Sequence, residues 1–437
     1  MFYRKDNPSP FHMIHSPMNS LPAEEGVKNK TEPDQKGYKR FSSLKNRNFR
    51  LLWIGGMFSH VGDEMQLVAV SWLVLELTNS PFLMGLAALF QGLPRLFFGP
   101  VGGVIADRKN RHRLLMIYQA SEMGLAFLFA LMVLSGKIEY WHVLVLLPFF
   151  GFLKAVYVPA RQVYVFDLVG KDDLMNALAL HSSGMNLAKI IGPSIAGILI
   201  GVVGVGWCLF INALSFIGIL VSLLMMHPPD FFKKDFHYPS VLQDLRETFV
   251  YLKKDKTILL LITTSFSFML FGLQSQVVLP LFARYVLDAG ATGFGFLMAS
   301  MGAGAVIGGV TMAGLGDLKK KGRYFLLFTL SYGLLLIFFS ASSWFFLSLV
   351  LILLVGMMEM VSRTINQTLV QLLSPDALRG RILGVYLLDR GVRPLGGFLM
   401  GTGASLLGAP LTLAIGGSMC TFIALGLLFK SPRIREL

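Results

Sequence analysis

Twelve apolar runs, each near the roughly 20 residues that cross a bilayer as a helix, limit this chain more than any other feature. They lie at 49–77, 83–106, 113–135, 141–163, 174–203, 205–227, 257–286, 292–315, 323–342, 344–369, 378–406 and 409–430. Backbone polar groups in lipid must be satisfied within the segment, so each run is predicted to be a helix. Charged residues are only 15% of the chain and apolar ones 54%, whereas a soluble domain is about 25% charged. One soluble globule could not hide that much apolar surface. A soluble enzyme, a nucleic-acid module and a disordered chain are therefore disfavoured. The two cysteines, Cys208 and Cys420, lie in apolar runs and give neither a metal spacing nor a disulfide framework.

The net charge of +14 has to be read by position. Lysine and arginine concentrate in the loops 107–113, 227–256 and 316–323 and in both tails. In the loops 78–82, 136–140, 203–206, 341–343 and 408–410 the only basic residue is Lys137. Arg284 and Asp288 flank the remaining turn on that side. The asymmetry puts the basic loops and both termini in the cytoplasm, so the charge signals topology and no nucleic-acid partner is implied. Trp141, Trp207 and Trp344 open spans from the bare side, where indole rings favour the interface.

The expected organisation is a disordered cytoplasmic tail (1–47), a six-helix bundle (48–227), a cytoplasmic linker (228–256), a second six-helix bundle (257–430) and a short tail (431–437). Pro8, Pro10, Pro17, Pro22 and Pro33 break the first segment, and no cleavable signal is visible in it. In the linker, Leu242, Leu245, Phe249 and Leu252 share one helical stripe, with Asp244, Arg246, Lys253 and Lys254 off it. That pattern predicts a helix lying on the inner membrane face; a regulatory docking helix is the alternative.

The two halves echo each other. Gly102-Gly103 and Asp107-Arg108-Lys109-Asn110-Arg111-His112-Arg113 follow the second run; Gly308-Gly309, then Asp317, Lys319, Lys320, Lys321 and Arg323, follow the eighth. Leu168 to Leu174 before the fifth run is matched by Leu372 to Leu378 before the eleventh. At the same offset Gly192 matches Gly396, and Gly197 matches Gly401. The fold class is thus all-α integral membrane, with twelve transmembrane helices as two pseudo-symmetric six-helix bundles.

On these residues the chain resembles the major facilitator superfamily over nearly all of 45–430. Gly103-x-Ile105-x-Asp107-Arg108-x-Asn110-Arg111-His112 resembles its signature after the second helix, with Asn110 where glycine is usual. Pro159-Ala-Arg161-Gln162, Asn176-Ala177, Ile191-Gly192-Pro193, Ala196-Gly197, Asn212-Ala213 and Arg379-Gly380-Arg381 resemble bacterial exporters of the enterobactin-exporter and macrolide-efflux type. The resemblance implies export driven by proton antiport. Composition and periodicity alone say only that this is a twelve-helix transporter-like chain.

The motifs carry paired readings. Asp107 ends a helix, where its carboxylate can face the positive N-terminus of another; family geometry suggests the eleventh. Arg111 could reach Asp167, and Asp107, Arg108, Arg111 and Asp167, with Asp317 and Arg323 as the looser counterpart, form a candidate inner gate. A solvated turn that only fixes orientation is the plain alternative. Gly192, Pro193, Ala196 and Gly197 resemble the antiporter motif, with Ala188 and Ala196 in place of glycines. Small residues let helices approach and proline bends them; simple close packing is the alternative.

Ionisable residues inside spans cost about 2.5–3.5 kcal/mol on insertion scales, so they face the protein interior. The set is Asp63, Glu64, Arg95, Glu122, Lys154, Lys189, Glu359, Asp389, Arg390 and Arg393. Asp63, which follows Gly62, is ranked first as proton carrier, with Glu64 and Glu122 behind it. An acid neutralised by Lys189 or Arg390 to hold helices together fits the sequence equally. Lys154, Tyr157, Arg161, Gln274, Gln276, Glu359 and Arg363 are the candidate substrate cavity, suited to an anionic or catecholic compound. A mutual Glu359–Arg363 pair at helical spacing is the bland alternative. His60 has no second ligand at metal spacing, so no metal is expected. No P-loop and no nucleophile elbow appear.

The sequence reading is a non-enzymatic secondary exporter in the bacterial inner membrane, multi-pass and functional as a monomer. It needs no cofactor beyond the proton gradient. Its partners are the lipid bilayer and a small amphiphilic substrate, a siderophore or a hydrophobic drug such as a macrolide. A lysophospholipid flippase, an importer and, more remotely, a non-transporting sensor or enzyme remain open.

Overall fold

The computed structural model describes residues 41–227, 241–316, 318–376 and 378–437, with the side chains at 100, 101, 104, 106–108, 241–247 and 390 outside the description. The expected tail over 1–40, Asp317, and the side chains of Asp107, Arg108, Leu242, Leu245 and Arg390 therefore lie beyond the described residues. The described chain is helical throughout, with no strand.

The first half holds α1 (Arg47–Thr78), α2 (Pro81–Arg108), α3 (Arg111–Leu134), α4 (Tyr140–Val203) and α5 (Val205–Leu224). Side-chain oxygens of Asn46, Ser80 and Asn110 cap the first three, accepting from Phe49, Leu83 and Arg113. The 64-residue α4 is two membrane rods joined at Gly170. Gly170 sits at φ 69°, a left-handed value that glycine adopts without the Cβ penalty. At the matching place in the second half Pro375 follows Ser374, and a residue before proline is pushed out of the helical region. There α11 ends in an open connection rather than a bend; Ser374 is extended at ψ 130°.

After α6 (Val241–Lys254), the second half holds α7 (Lys256–Phe271), α8 (Ser275–Leu281), α9 (Gly290–Leu315), α10 (Lys321–Ser340), α11 (Phe345–Leu373), α12 (Arg379–Leu387), α13 (Asp389–Leu407) and α14 (Ala409–Lys430). Two expected continuous runs are jointed. The 257–286 run breaks after α7, where Gly272 is extended at ψ −178°. Side chains satisfy the freed backbone, as non-helical backbone at membrane depth requires: Leu273 N–H donates to the Tyr332 hydroxyl (2.9 Å) and Gln274 Nε2 to the Met269 carbonyl (2.6 Å). The 378–406 run has a softer joint at Leu388, bridged by tight Leu388→Val385 and Gly391→Leu388 bonds.

By length and composition, nine described segments are apolar enough to cross a membrane. One of them is α4, which supplies two rods. The membrane-length helices short of that mark, α1 and α13, carry Asp63 and Glu64, and Asp389, Arg390 and Arg393. Counting them gives twelve rods among the described residues.

The halves meet through α2 on α13 and α4 on α9. At the bare end the buried apolar core is one cluster from both halves, running from Leu73 and Leu75 to Leu279, Phe282 and Phe294. At the basic end it is two clusters, one around Phe49, Leu115 and Phe216 and the other around Ile258, Phe325 and Tyr386. Leu252 of α6 is buried in that last cluster, while Phe249 on the same stripe is 50% exposed. The linker helix is therefore anchored on the second half through its C-terminal turn.

Candidate functional site

Paired small-residue crossings join the halves. A Cβ on Gly197 would lie 2.8 Å from the Gly295 Cα, and one on Gly85 would lie 3.1 Å from the Gly401 Cα. Gly197 and Gly401 are matched repeat positions, so α4 on α9 mirrors α13 on α2. Thr292 Oγ1 donates to the Gly197 carbonyl at 3.1 Å, and the Tyr285 hydroxyl to Asn79 Oδ1 at 3.2 Å. Trp72 stacks on Phe294. These contacts seal the bare end. Nearer the basic end, Gly99 and Gly103 of α2 and Gly380 and Gly384 of α12 face open space.

Below the seal lies a cavity of about 370 Å³ between the halves. Its walls include His60, Asp63 and Glu64 of α1, Arg95 of α2, Lys154 and Tyr157 of α4, Gln274 and Gln276 at the α7–α8 break, and Arg393 of α13. The helix break that exposes backbone thus borders the cavity, where such breaks are tolerated.

Its first wall holds a buried charge cluster. Lys154 Nζ donates to Asp63 Oδ1 at 3.2 Å and lies 3.7 Å from Glu122 Oε1. Glu122 is 1% exposed. One ammonium from α4 therefore serves carboxylates from α1 and α3. Sequence reasoning placed Lys154 in the substrate cavity and offered Lys189 or Arg390, as the alternative reading, to neutralise the acid; in the fold Lys154 lines the cavity and is the counter-ion of Asp63. Helical spacing could not reveal this, because the three residues sit on three helices. Glu64 also lines the cavity, and a Cβ on Gly192 of α4 would lie 2.7 Å from the Glu64 Cβ.

One turn further, Arg161 is 5% exposed and hydrogen-bonded to the Tyr157 hydroxyl (2.7 Å) and to His60 Nε2. The His60 ring lies 5.6 Å from that of His181, a neighbour with no sequence signal. Arg161 is thus held within the first half, and Gln274 is tied to the Met269 carbonyl.

Glu359 and Arg363 line a separate small cavity of about 30 Å³ in the second half, which shares Gln274 and Arg393 with the central one. The ion pair that Arg363 makes is with Asp389, not the mutual pair with Glu359 that stood as the alternative. Arg363 Nη2 lies 3.6 Å from Asp389 Oδ2, which accepts from Ser265 Oγ at 2.6 Å. Asp389 is 0% exposed.

At the basic end Arg111 Nη1 donates to Asp167 Oδ2 at 2.6 Å, tying α3 to α4 inside the first half. Arg323 is exposed in the first turn of α10. In the motif 192–197, Gly192, Pro193, Ala196 and Gly197 are all buried. The α4 rod runs unbroken through Pro193, and the motif packs against α1 and α9. Among the described residues no His, Cys, Asp and Glu group could hold a metal.

The transmembrane secretion effector family matches residues 38–437. The chain is 25% identical to the staphyloferrin A transporter of Staphylococcus aureus, over 88% of this chain and 95% of that one. It is 28% identical to the enterobactin exporter EntS of Shigella flexneri, over 77% and 80% of the two chains. Among solved structures, a POT family transporter in complex with 5-aminolevulinic acid superposes with a TM-score of 0.71 at 13% identity, covering 89% of this chain and 97% of that one. A bacterial homologue of the human lysosomal transporter Spinster gives 0.65 at 14% identity, covering 91% and 97%.

Proposed function

This chain belongs to the transmembrane secretion effector family of the major facilitator superfamily, and from that premise we propose that it exports a small molecule of the siderophore class by proton antiport. The names of both relatives refer to siderophores, which favours that class over a hydrophobic drug. The basic end is cytoplasmic in this reading and the membrane is the bacterial inner membrane. The conformation described, sealed at the bare end, is then the one that loads substrate from the cytoplasm.

The observation that carries the coupling is the single ammonium of Lys154 shared by Asp63 and Glu122. Two carboxylates against one cation leave a charge that a buried site holds at high cost, and a proton removes it. Proton entry from outside would neutralise the pair, and release to the cytoplasm would restore it. Glu64 is the weaker candidate, since the ion pairs of Lys154 go to Asp63 and Glu122. Arg111 and Asp167, with Asp107, Arg108, Asp317 and Arg323, would brace the cytoplasmic end when the bare end opens. The motif 192–197 would form the close crossing that prevents leak.

The test uses purified protein in liposomes with an imposed pH gradient, and enterobactin and staphyloferrin A as probes. Wild type should concentrate one of them, and Asp63→Asn and Glu122→Gln should abolish concentration while keeping exchange down a gradient. Uphill transport by both variants would overturn the assignment of the coupling site. Failure of wild type to move either compound would overturn the substrate class.

A further inference from the structure

Arg393 of α13 is, among the described residues, the one charged side chain that lines both cavities. On the small cavity it shares the wall with Glu359 of its own half. On the central cavity it shares the wall with Glu64 of the other half. In this conformation no hydrogen bond or ion pair joins it to either acid. Glu359 is unpaired as well, while Arg363 beside it goes to Asp389.

The backbone fixes where Arg393 stands. The next residue, Pro394, lies against Gly92 of α2, and Gly391 lies against Leu96. Its side chain therefore starts at a crossing between the halves. The charges around it belong to several helices. Arg95 of α2 faces Asp63, Glu122 and Arg393, and Lys154 of α4 holds Asp63 and Glu122. Lys189 of α4 faces Glu64 from within the first half, and Arg393 faces the same acid from the second.

The central cavity lies below the bare-end seal. Rocking that opens the bare end closes the basic end, and the cavity narrows from that side. Walls that face each other across it then approach. Glu64 and Arg393 stand on opposite walls and come together; Glu359 rides on the same half as Arg393. An ion pair present in one conformation only shifts the equilibrium toward that conformation, and exclusion of water from a closing cavity strengthens it.

We infer that Arg393 is an electrostatic latch shared by two acids: Glu359 of its own half neutralises it while the bare end is sealed, and Glu64 of the other half takes it up when the basic end closes. The inference concerns the rocking of the halves and holds for any substrate or coupling ion. It requires two acids of equal charge to act in opposite directions. Without Glu359, Arg393 has Glu64 alone as its partner, and the conformation open at the bare end gains. Without Glu64, that conformation loses its bond between the halves.

The experiment measures spin–spin distances in the full chain, without substrate, in phosphatidylcholine nanodiscs. Labels at Lys137→Cys and Ser343→Cys, on bare-end loops of the two halves, read the opening as a longer distance. Glu359→Gln should raise the ratio of open to sealed protein about 10-fold, inside the range usual for coupling between two sites. Adding Glu64→Gln should cancel the gain, and adding Arg393→Gln instead should cancel it equally, because either change removes the pair across the cavity. An unchanged ratio in Glu359→Gln would overturn the latch. So would a gain that survives Glu64→Gln. If Glu359→Gln does not fold, Glu359→Asp, shorter by one methylene and still charged, should move the ratio the same way by less. No movement there would overturn the latch as well.

Discussion

Gly197→Ala tests whether the bare end is a switchable seal. The added Cβ would lie 2.8 Å from the Gly295 Cα and 3.0 Å from the Ala291 carbonyl oxygen, where carbon contacts are optimal at about 3.5–4.0 Å. The α4 and α9 rods would have to part by about 0.7–1 Å. Overpacking of this kind costs about 1–3 kcal/mol. The Thr292 hydroxyl bond to Gly197, at 3.1 Å, would be strained too, and interhelical bonds in membranes average about 0.6 kcal/mol. Alanine also raises helix propensity by about 1 kcal/mol, but equally in both conformations. In the open state the contact no longer exists, so the penalty falls on the sealed state alone. A shift of about 2–3 kcal/mol moves the equilibrium roughly 30- to 150-fold. Spin labels at Lys137→Cys and Ser343→Cys, on exposed bare-end loops of the two halves, would read it as a longer distance between them. Cys208 and Cys420 are both 0% exposed and should stay unlabelled. Gly124→Ala, where a Cβ meets nothing within 4 Å, is the control. An unchanged distance distribution in folded Gly197→Ala protein would refute the reasoning.

Arg363→Met should lower stability by about 3–5 kcal/mol, because it strands the buried Asp389 carboxylate. Adding Asp389→Asn should recover most of the loss in a thermal unfolding assay, and a double variant no better than Arg363→Met would show that the 3.6 Å pair is not what holds α11 to α13. Reporter fusions after residues 138 and 408 should report outside, and fusions after 240 and 437 inside; an outside signal after 240 would invert the assignment of the basic end.

The rods were legible because lipid leaves a chain few choices. A run such as 205–227 or 409–430 has to be helical, and its ends fall where the hydropathy does. The joints were less legible. Gly272 breaks one run because Tyr332 and Gln274 are placed to take its freed backbone groups, and Tyr332 lies 60 positions away in sequence on α10. The Arg111–Asp167 pair was foreseeable from the family motif. The Asp63–Lys154–Glu122 cluster was not, since its members come from α1, α4 and α3 and only the rotation of each rod decides which meet. All three residues had nevertheless been marked, because a charge inside an apolar run is conspicuous. Ser265 and His181 carried no such mark: a hydroxyl or an imidazole in a span looks like ordinary packing until its partner is known.

The repeat explains why the glycine crossings are symmetric and the charge clusters are not. A rocking motion needs equivalent pivots on both sides, and Gly197 on Gly295 is matched by Gly401 on Gly85. A substitution that spoiled one pivot would leave the other carrying the motion askew, so both must stay small. The charge clusters face no such demand. In the first half a cation on α4 serves two acids, on α1 and α3; in the second a cation on α11 serves one acid, on α13, with a hydroxyl from α7. The second cluster is balanced, one charge against one, and has no call for a proton. The first has an acid to spare. If coupling is located where charge is left over, the first half carries the proton and the second supplies a fixed wall, so substitutions at Arg363 and Asp389 should act on stability before they act on coupling.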